Sequence, residues 1–303
     1  MRARVKPSCV VADPLLELYT VTTTVSQLFR YPIKSMRGEA HASLEITERG
    51  VRGDRVWAVR DEARGGIRGA KKIPSLMTLS ARFCGAVDGE GASPAVIAAP
   101  DGTFCETGSV EINSWLSAKL NHPVTLWPLL PADALDHYRR GAPDHDDLET
   151  ELRQMFGRAP DEPLPDLSIF AEVIEFESPP GTYFDAFPIL LLTQQSLDSM
   201  SRIRPQSYFH VDRFRPNILL DASGSDHPFP ETQWVGRRIQ IGDVELEVVG
   251  DCPRCSMITH GFGKLPKDLG IMRSVVAANG GNIGVYAKVV RGAVLNVGDA
   301  LGL

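Results

Sequence analysis

Along the first third of the chain, apolar residues recur at period two and are punctuated by turn chemistry. Val21 to Phe29, the alternating Ala42, Leu44 and Ile46, and Val56 to Val59 after a turn at Gly53-Asp54 each fit a half-buried strand. Pro100-Asp101-Gly102 marks a second hairpin between Ala95–Ala99 and Thr103–Glu106. Ser114 to Leu120 reads as a short helix beginning near Asn113 as its cap. These elements group into a β-rich domain over residues 22–127.

The pattern changes between Pro131 and Pro180. Asp144 to Phe156 has acidic residues early and Leu148, Leu152, Met155 and Phe156 at helical spacing, followed by a proline-rich run to Pro165. Residues 128–180 are therefore expected to be a connecting helix and loop, with Asp144-His145-Asp146-Asp147 as a solvated face. So long a connection suits either a lid over a binding site or a disordered segment. The third segment, 181–303, opens on a helix at Gln194–Ile203, with Thr193 or Ser196 as its cap. It then returns to strands at Asn217–Leu220, Arg238–Ile241, Val244–Val249 and Tyr286–Val290, with Gly242-Asp243 as a tight hairpin. The fold class is mainly β with some α, and the strand spacing suits barrels more than a doubly wound sheet.

Charge narrows the partners. The 303 residues carry 38 acidic against 32 basic side chains, net −6. That balance gives no reason to expect nucleic acid or an anionic membrane surface. No apolar run reaches the ~18 residues of a membrane span. One of the longest, Ala186 to Leu192, contains a proline. The start mixes Pro7, Asp13, Pro14 and Glu17 where a signal peptide carries an unbroken apolar core, so the expected location is cytoplasmic. Of the five cysteines, Cys9 lies in an unpatterned N-terminal segment, and Cys84 and Cys105 are expected to act as small hydrophobes. Cys252 and Cys255 form the one close pair.

That pair stands in Gly250-Asp251-Cys252-Pro253-Arg254-Cys255, directly after a strand. Half of a tetrahedral zinc site is one reading, but Cys84 and Cys105 are remote and His260 offers only a third ligand. A thioredoxin-like dithiol is a second, and it calls for a long helix that Ser256 to Gly263 does not supply. A thiolate beside Arg254, able to ligate a soft metal or carry sulfur, is a third, and two purely structural cysteines a fourth. Two further segments, Phe29-Arg30-Tyr31-Pro32-Ile33-Lys34-Ser35 and Arg213-Phe214-Arg215-Pro216-Asn217, set basic groups at strand ends; arginine, lysine and serine suit an oxyanion such as phosphate and asparagine the edge of a heterocycle, while a solvated basic rim is the other reading of either segment alone.

These residues resemble the MOSC-domain family, named for the C-terminal domain of molybdenum cofactor sulfurases, with its N-terminal β-barrel domain in front. The resemblance rests on Tyr31-Pro32-Ile33-Lys34-Ser35, Gly53-Asp54-Arg55-Val56-Trp57, Phe187-Pro188-Ile189-Leu190-Leu191-Leu192, Phe214-Arg215-Pro216-Asn217, Cys252-Pro253-Arg254-Cys255 and the closing Gly292–Asp299. It implies two β-barrel domains with peripheral helices, and a molybdenum pyranopterin cofactor in the cleft between them with Cys255 as the metal ligand. Lys34, Ser35, Arg55, Arg215, Asn217 and Arg254 would contact the cofactor, as would Lys71, where the family often has arginine. His260 follows Thr259 where family enzymes show an aspartate, and is expected to handle protons beside Cys255. The implied activity is reduction of an N-oxygenated small molecule, with electrons from a separate flavin or iron–sulfur protein because the sequence lacks a C-x4-C-x2-C run. Two other roles fit the same family: a sulfur carrier using a Cys255 persulfide, and a non-catalytic accessory protein.

Overall fold

The computed structural model describes residues 23–87, 89, 91–170 and 175–302. Val21 and Cys9 lie outside them. The strands, in chain order, are β1 (Thr24–Arg30), β2 (Glu39–His41), β3 (Ser43–Thr47), β4 (Gly50–Val51), β5 (Trp57–Asp61), β6 (Ile67–Arg68), β7 (Ser80–Phe83), β8 (Ala95–Ala98), β9 (Phe104–Glu106), β10 (Val124–Pro128), β11 (Ile189–Thr193), β12 (Ile218–Asp221), β13 (Arg238–Ile241), β14 (Val244–Pro253), β15 (Asn282–Arg291), β16 (Ala293–Asn296) and β17 (Leu301–Gly302). The molecule is mostly β with a few short helices.

Eight strands form one sheet in the order β17-β13-β14-β15-β11-β12-β1-β2, antiparallel except at β11–β12. The sheet curls until its ends meet. Val25 N donates to Asp299 O at 2.9 Å and Leu301 N to Thr23 O at 2.8 Å, so the segment leading into β17 lies against β1. Alternate side chains fill the interior: Ile189 and Leu191, Ile218 and Leu220, Ile239 and Ile241, and Val244, Leu246 and Val248. Val25 and Leu28 of β1 both point inward although they differ in parity, because a bulge between Val25 and Gln27 inserts the extra residue. Leu192 and Leu219 face outward under the helices Gln194–Ile203 and Gly270–Asn279. With both faces covered, these strands read as unbroken apolar runs.

Two smaller sheets, β10-β5-β6 and β7-β8-β9, pack with the helix Ile112–Leu120 around a second core containing Ile33, Val59, Leu76 and Leu116. Strand pairing interleaves the two halves of the sequence. β1 sits in the large sheet beside β12, and β3 pairs with β16 near the other end of the chain.

Several local expectations change. Asn113 is not the cap of the first helix, which starts one residue earlier; its Oδ1 accepts from Leu126 N at 2.8 Å. The acidic stretch is not simply solvated, since Asp144 pairs with Lys72 at 2.7 Å and Asp147 caps the helix Leu148–Phe156. Cys105 packs against the second core but Cys84 is exposed. The strand entering the cysteine motif runs on to Pro253 through bulges. The helix Gly270–Asn279, unforeseen, begins at a glycine.

Candidate functional site

β14 holds Cys252 buried within the strand and ends at Pro253, two residues before Cys255, and a single 3-10 turn at Ser256–Thr259 folds the chain back. Arg213, almost fully buried, holds that turn through carbonyls, donating to Ile258 O at 3.0 Å, His260 O at 2.8 Å and Pro266 O at 2.6 Å. Behind the motif, Arg254 N donates to Gly281 O at 2.9 Å. Gly281 sits at φ 92°, and a Cβ there would stand 2.0 Å from the Arg158 guanidinium, so only glycine fits.

Tyr31 to Ser35, after β1, lies against the 54–57 turn. Arg55 N donates to Tyr31 O at 2.6 Å and Lys34 N to Trp57 O at 2.8 Å. Asp54, 4% exposed, is the hub: its carboxylate accepts from Tyr31 N at 2.7 Å, from Asn217 Nδ2 at 3.1 Å and from the Arg55 guanidinium. Asn217 is otherwise committed to the backbone of β11, where its Oδ1 accepts from Leu190 N at 3.2 Å. It fixes the frame in which its neighbours stand.

Lys34 is buried and donates to Asp185 Oδ1 at 2.9 Å and Tyr183 O at 2.9 Å. Burial pulls its pKa down, while Asp185 works against that shift. Ser35 Oγ accepts from Ala70 N at 2.9 Å. Lys71 pairs with Glu177 at 2.9 Å, and Arg140 takes the other Glu177 oxygen at 2.6 Å. The Arg55 and Arg215 guanidiniums lie 5.0 Å and 4.2 Å from the Tyr31 ring centroid. Arg215 Nη1 donates to Met36 O, its Nη2 is buried without a partner, and desolvation lowers its pKa to about 10. Arg254 donates to Cys252 Sγ at 2.8 Å and to Phe214 O.

Among the described non-glycine residues, positive φ occurs at Ser35 (68°), Arg55 (51°), Asn121 (50°) and Arg215 (55°). Asn121 and Arg215 are left-handed helix ends, capping Ile112–Leu120 and Val211–Phe214. Ser35, Arg55 and Arg215 are the expected cofactor contacts among the four. A non-glycine residue held there costs on the order of 1–2 kcal/mol, and such strain gathers where function requires it.

Two cavities meet at Asp185, Cys255, Met257 and Tyr286. The smaller, about 50 Å³, is walled by Arg55, Arg213, Arg215, Asn217 and Arg254. The larger, about 520 Å³, has Ser35 and Lys71 on one side and the helix Leu148–Phe156 on the other. That volume is of the size that holds a cofactor or drug-sized molecule. Cys255 is half-buried, and its thiol is pushed up by burial and by Asp185, with Lys71, the Met257 N–H and Arg254 pulling the other way.

The structure thus gathers Ser35, Arg55, Lys71, Arg215, Asn217, Arg254 and Cys255 around the two cavities, with Lys34 one hydrogen bond behind, through Asp185. His260 lines neither; it is half-buried, its Nε2 has no partner, and burial followed by Lys267 lowers its pKa. Sequence reasoning missed Asp185, Glu177 and Tyr286. Asp185 could have been noticed as a charge among aromatics, in Tyr183-Phe184-Asp185-Ala186-Phe187, just before an apolar strand.

Residues 179–302 match the MOSC domain model and residues 22–121 the MOSC N-terminal beta barrel domain model. Mitochondrial amidoxime-reducing component 1 of Mus musculus is 27% identical over 250 residues, covering 78% of this chain and 65% of that protein. Mitochondrial amidoxime reducing component 2 of Bos taurus is 26% identical over 256 residues, 78% of this chain and 66% of its own length. A molybdenum cofactor sulfurase of Drosophila mojavensis is 24% identical over 241 residues, covering 77% of this chain but 27% of the sulfurase. The chain spans about 65% of the length of the first of these relatives. With both segments matched in order, and interleaved through shared sheets, the chain belongs to the MOSC family and carries the MOSC N-terminal beta barrel domain in front of its MOSC domain.

Proposed function

We propose that this protein is a molybdenum-cofactor-dependent oxidoreductase that reduces N-oxygenated small molecules with electrons from a separate donor protein. The names of the two amidoxime-reducing components suggest the reaction class, and that of the sulfurase the cofactor. The observation that carries it is the convergence on one thiol, Cys255, of an arginine-lined pocket and a cofactor-sized cleft.

The residues fit such a cofactor. Arg215 Nη2, buried and unpaired, and the neighbouring Arg55 and Arg254 form a receptor for an anionic group such as its phosphate. No group of three or more His, Cys, Asp or Glu able to hold a metal occurs among the described residues. A lone thiolate suits a soft metal that arrives with its own organic ligands. When bound, the cofactor supplies the two-electron redox couple needed to cleave an N–O bond.

The chain's own groups do the rest. Burial pushes the Cys255 thiol up and so favours its protonated form, metal binding must expel that proton, and loading should be favoured by rising pH. Asp185, at the junction of the cavities, is held ionised: desolvation in the cleft opposes its charge, but Lys34 and Lys71 outweigh that and hold its pKa well below the carboxylate range. Its carboxylate is positioned to accept the N–OH hydrogen of a substrate beside Cys255. The overall change takes up two electrons and two protons, R–NH–OH becoming R–NH2 and water.

Protein made in a host that builds the cofactor, assayed for molybdenum, pterin and benzamidoxime reduction with reduced methyl viologen as the electron source, tests the reading. Stoichiometric molybdenum and pterin with turnover, both lost in Cys255→Ser, are expected. Zinc in place of molybdenum, or a mass gain of one sulfur on Cys255 that survives cofactor removal, would overturn it, the latter in favour of the sulfur carrier.

A further inference from the structure

Arg158 follows the helix Leu148–Phe156 and is 5% exposed, yet two of its guanidinium nitrogens, Nε and Nη2, have no hydrogen-bond partner. The remaining one, Nη1, donates to Phe156 O at 2.9 Å and lies 2.8 Å from Met272 Sδ. Glu162, the acid whose charge it feels, is committed elsewhere: its Oε2 accepts from Ala159 N at 2.7 Å and from the Arg273 guanidinium. Desolvation accordingly lowers the Arg158 pKa. A buried guanidinium without a bonded carboxylate is costly, and such a group calls for an explanation.

Capping the helix does not supply one. Gly157, at φ 60°, closes that end in the left-handed conformation, with its N–H donating to Gln154 O at 3.2 Å and Arg158 N to Arg153 O at 2.8 Å, while Arg273 reaches Gly157 O. The one bond to Phe156 O needs no charge. The surroundings of Arg158 lead instead to the cysteine turn. A Cβ on Gly157 would stand 3.6 Å from Ser256 Cα, and one on Gly281 only 2.0 Å from Arg158 Nη2. Gly281 O in turn accepts from Arg254 N at 2.9 Å. Arg158 therefore packs behind the residues that flank Cys255, and it lines neither cavity. Asp185, Lys71 and Arg254 act on the thiol as well. The field of Arg158 crosses packed protein, where a charge is felt more strongly than through water.

We propose that Arg158 is a buried cation left without a carboxylate so that its field favours negative charge on the Cys255 sulfur and on a metal bound there. The statement about the metal rests on the reductase reading above; the statement about the sulfur stands without it. Arg158 touches neither cavity and acts through the cysteine.

Two measurements on the full chain test it, in Arg158→Met, which keeps an unbranched side chain without charge, and in Arg158→Lys, which keeps the charge. In protein made without cofactor, Cys255 is alkylated by iodoacetate and by iodoacetamide at one pH, and both rates are read by peptide mass spectrometry. Each reagent consumes the thiolate, so the ratio of rates cancels its abundance and reports the field acting on the anionic reagent. The iodoacetate-to-iodoacetamide ratio is expected to fall at least ~3-fold in Arg158→Met and to recover in Arg158→Lys. The melting temperature of the methionine variant should stay within ~2 °C of wild type or rise, because an uncompensated buried charge is removed. In cofactor-loaded protein, the midpoint potential of the molybdenum couple, followed by electron paramagnetic resonance, should fall in Arg158→Met and recover in Arg158→Lys, since a cation stabilises the more reduced metal. An unchanged ratio overturns the proposal, and a lowered melting temperature with an unchanged ratio would make Arg158 a helix cap only. A changed ratio with an unchanged potential overturns the statement about the metal. A changed ratio in a chain that takes up no molybdenum upholds the field at the sulfur and overturns the reductase. If Arg158→Met does not fold, Arg158→Gln, neutral with a donor for Phe156 O, is read in the same way.

Discussion

Asp54 is the side chain whose removal tests the architecture of the site most directly. Its buried carboxylate satisfies the Tyr31 N–H at 2.7 Å, the Asn217 amide at 3.1 Å and the Arg55 guanidinium. It thereby ties the end of β1, the turn after β4 and the entry to β12. In Asp54→Ala the arginine loses its counter-charge and two buried donors lose their acceptor. Breaking a buried ion pair from one side costs roughly 3–5 kcal/mol, and each orphaned donor ~1–3 kcal/mol, terms that overlap because the groups are one network. About 4 kcal/mol is expected. At ~2.1 cal/mol/K of unfolding entropy per residue, 303 residues give a melting shift of about 6 °C downward. Asp54→Asn, which keeps one oxygen for Tyr31 N, should fall between wild type and the alanine variant. The assay is calorimetric or fluorescence-detected unfolding. A shift under ~2 °C for Asp54→Ala would refute the hub.

Two other outcomes follow from particular contacts. His260 has a folded-state pKa lowered by burial, so the stability it contributes is present above the unfolded value of ~6.5 and is lost as pH falls through the lower folded value. Urea midpoints should therefore drop between pH 7.5 and pH 5 by more in wild type than in His260→Gln, and equal drops would count against a buried neutral imidazole. Glu151→Ala removes the partner of Lys72 and the acceptor for Asp144 N and His145 N. Amides of residues 142–157 should exchange hydrogen at least ~10-fold faster in that variant while those of β14 do not change, and unchanged exchange at the helix would show that packing alone holds it.

Much of the barrel was legible because its strands obey a simple alternation. Val244, Leu246 and Val248 face in and their neighbours out, and the Gly242-Asp243 hairpin was read correctly. What escaped depends on distance along the chain. Nothing local in Ser43–Thr47 announces pairing with Ala293–Asn296, and the bulge in β1 is visible only once Leu219 and Leu220 oppose it. The helix Gly270–Asn279 begins at a glycine and takes its entry bond from Asp268, whose Oδ1 accepts from Gly270 N at 2.8 Å, a signal too slight on its own to mark the apolar residues that follow. At the site, motif residues stood out individually, but the acids that set their charge did not. Glu177 and Asp185 sit in a segment that reads as a loop, and their meaning comes from Lys71 and Lys34, more than a hundred positions away.

The left-handed backbone at Ser35, Arg55 and Arg215 has an outcome for engineering. Glycine would relax each backbone, yet it would also remove the Arg55 partner of Asp54, the Arg215 donor to Met36 O and the Ser35 acceptor of Ala70 N. Each strained conformation is thus held in place by the contacts its own side chain makes, and a library screened for heat resistance alone should leave Arg55 unchanged.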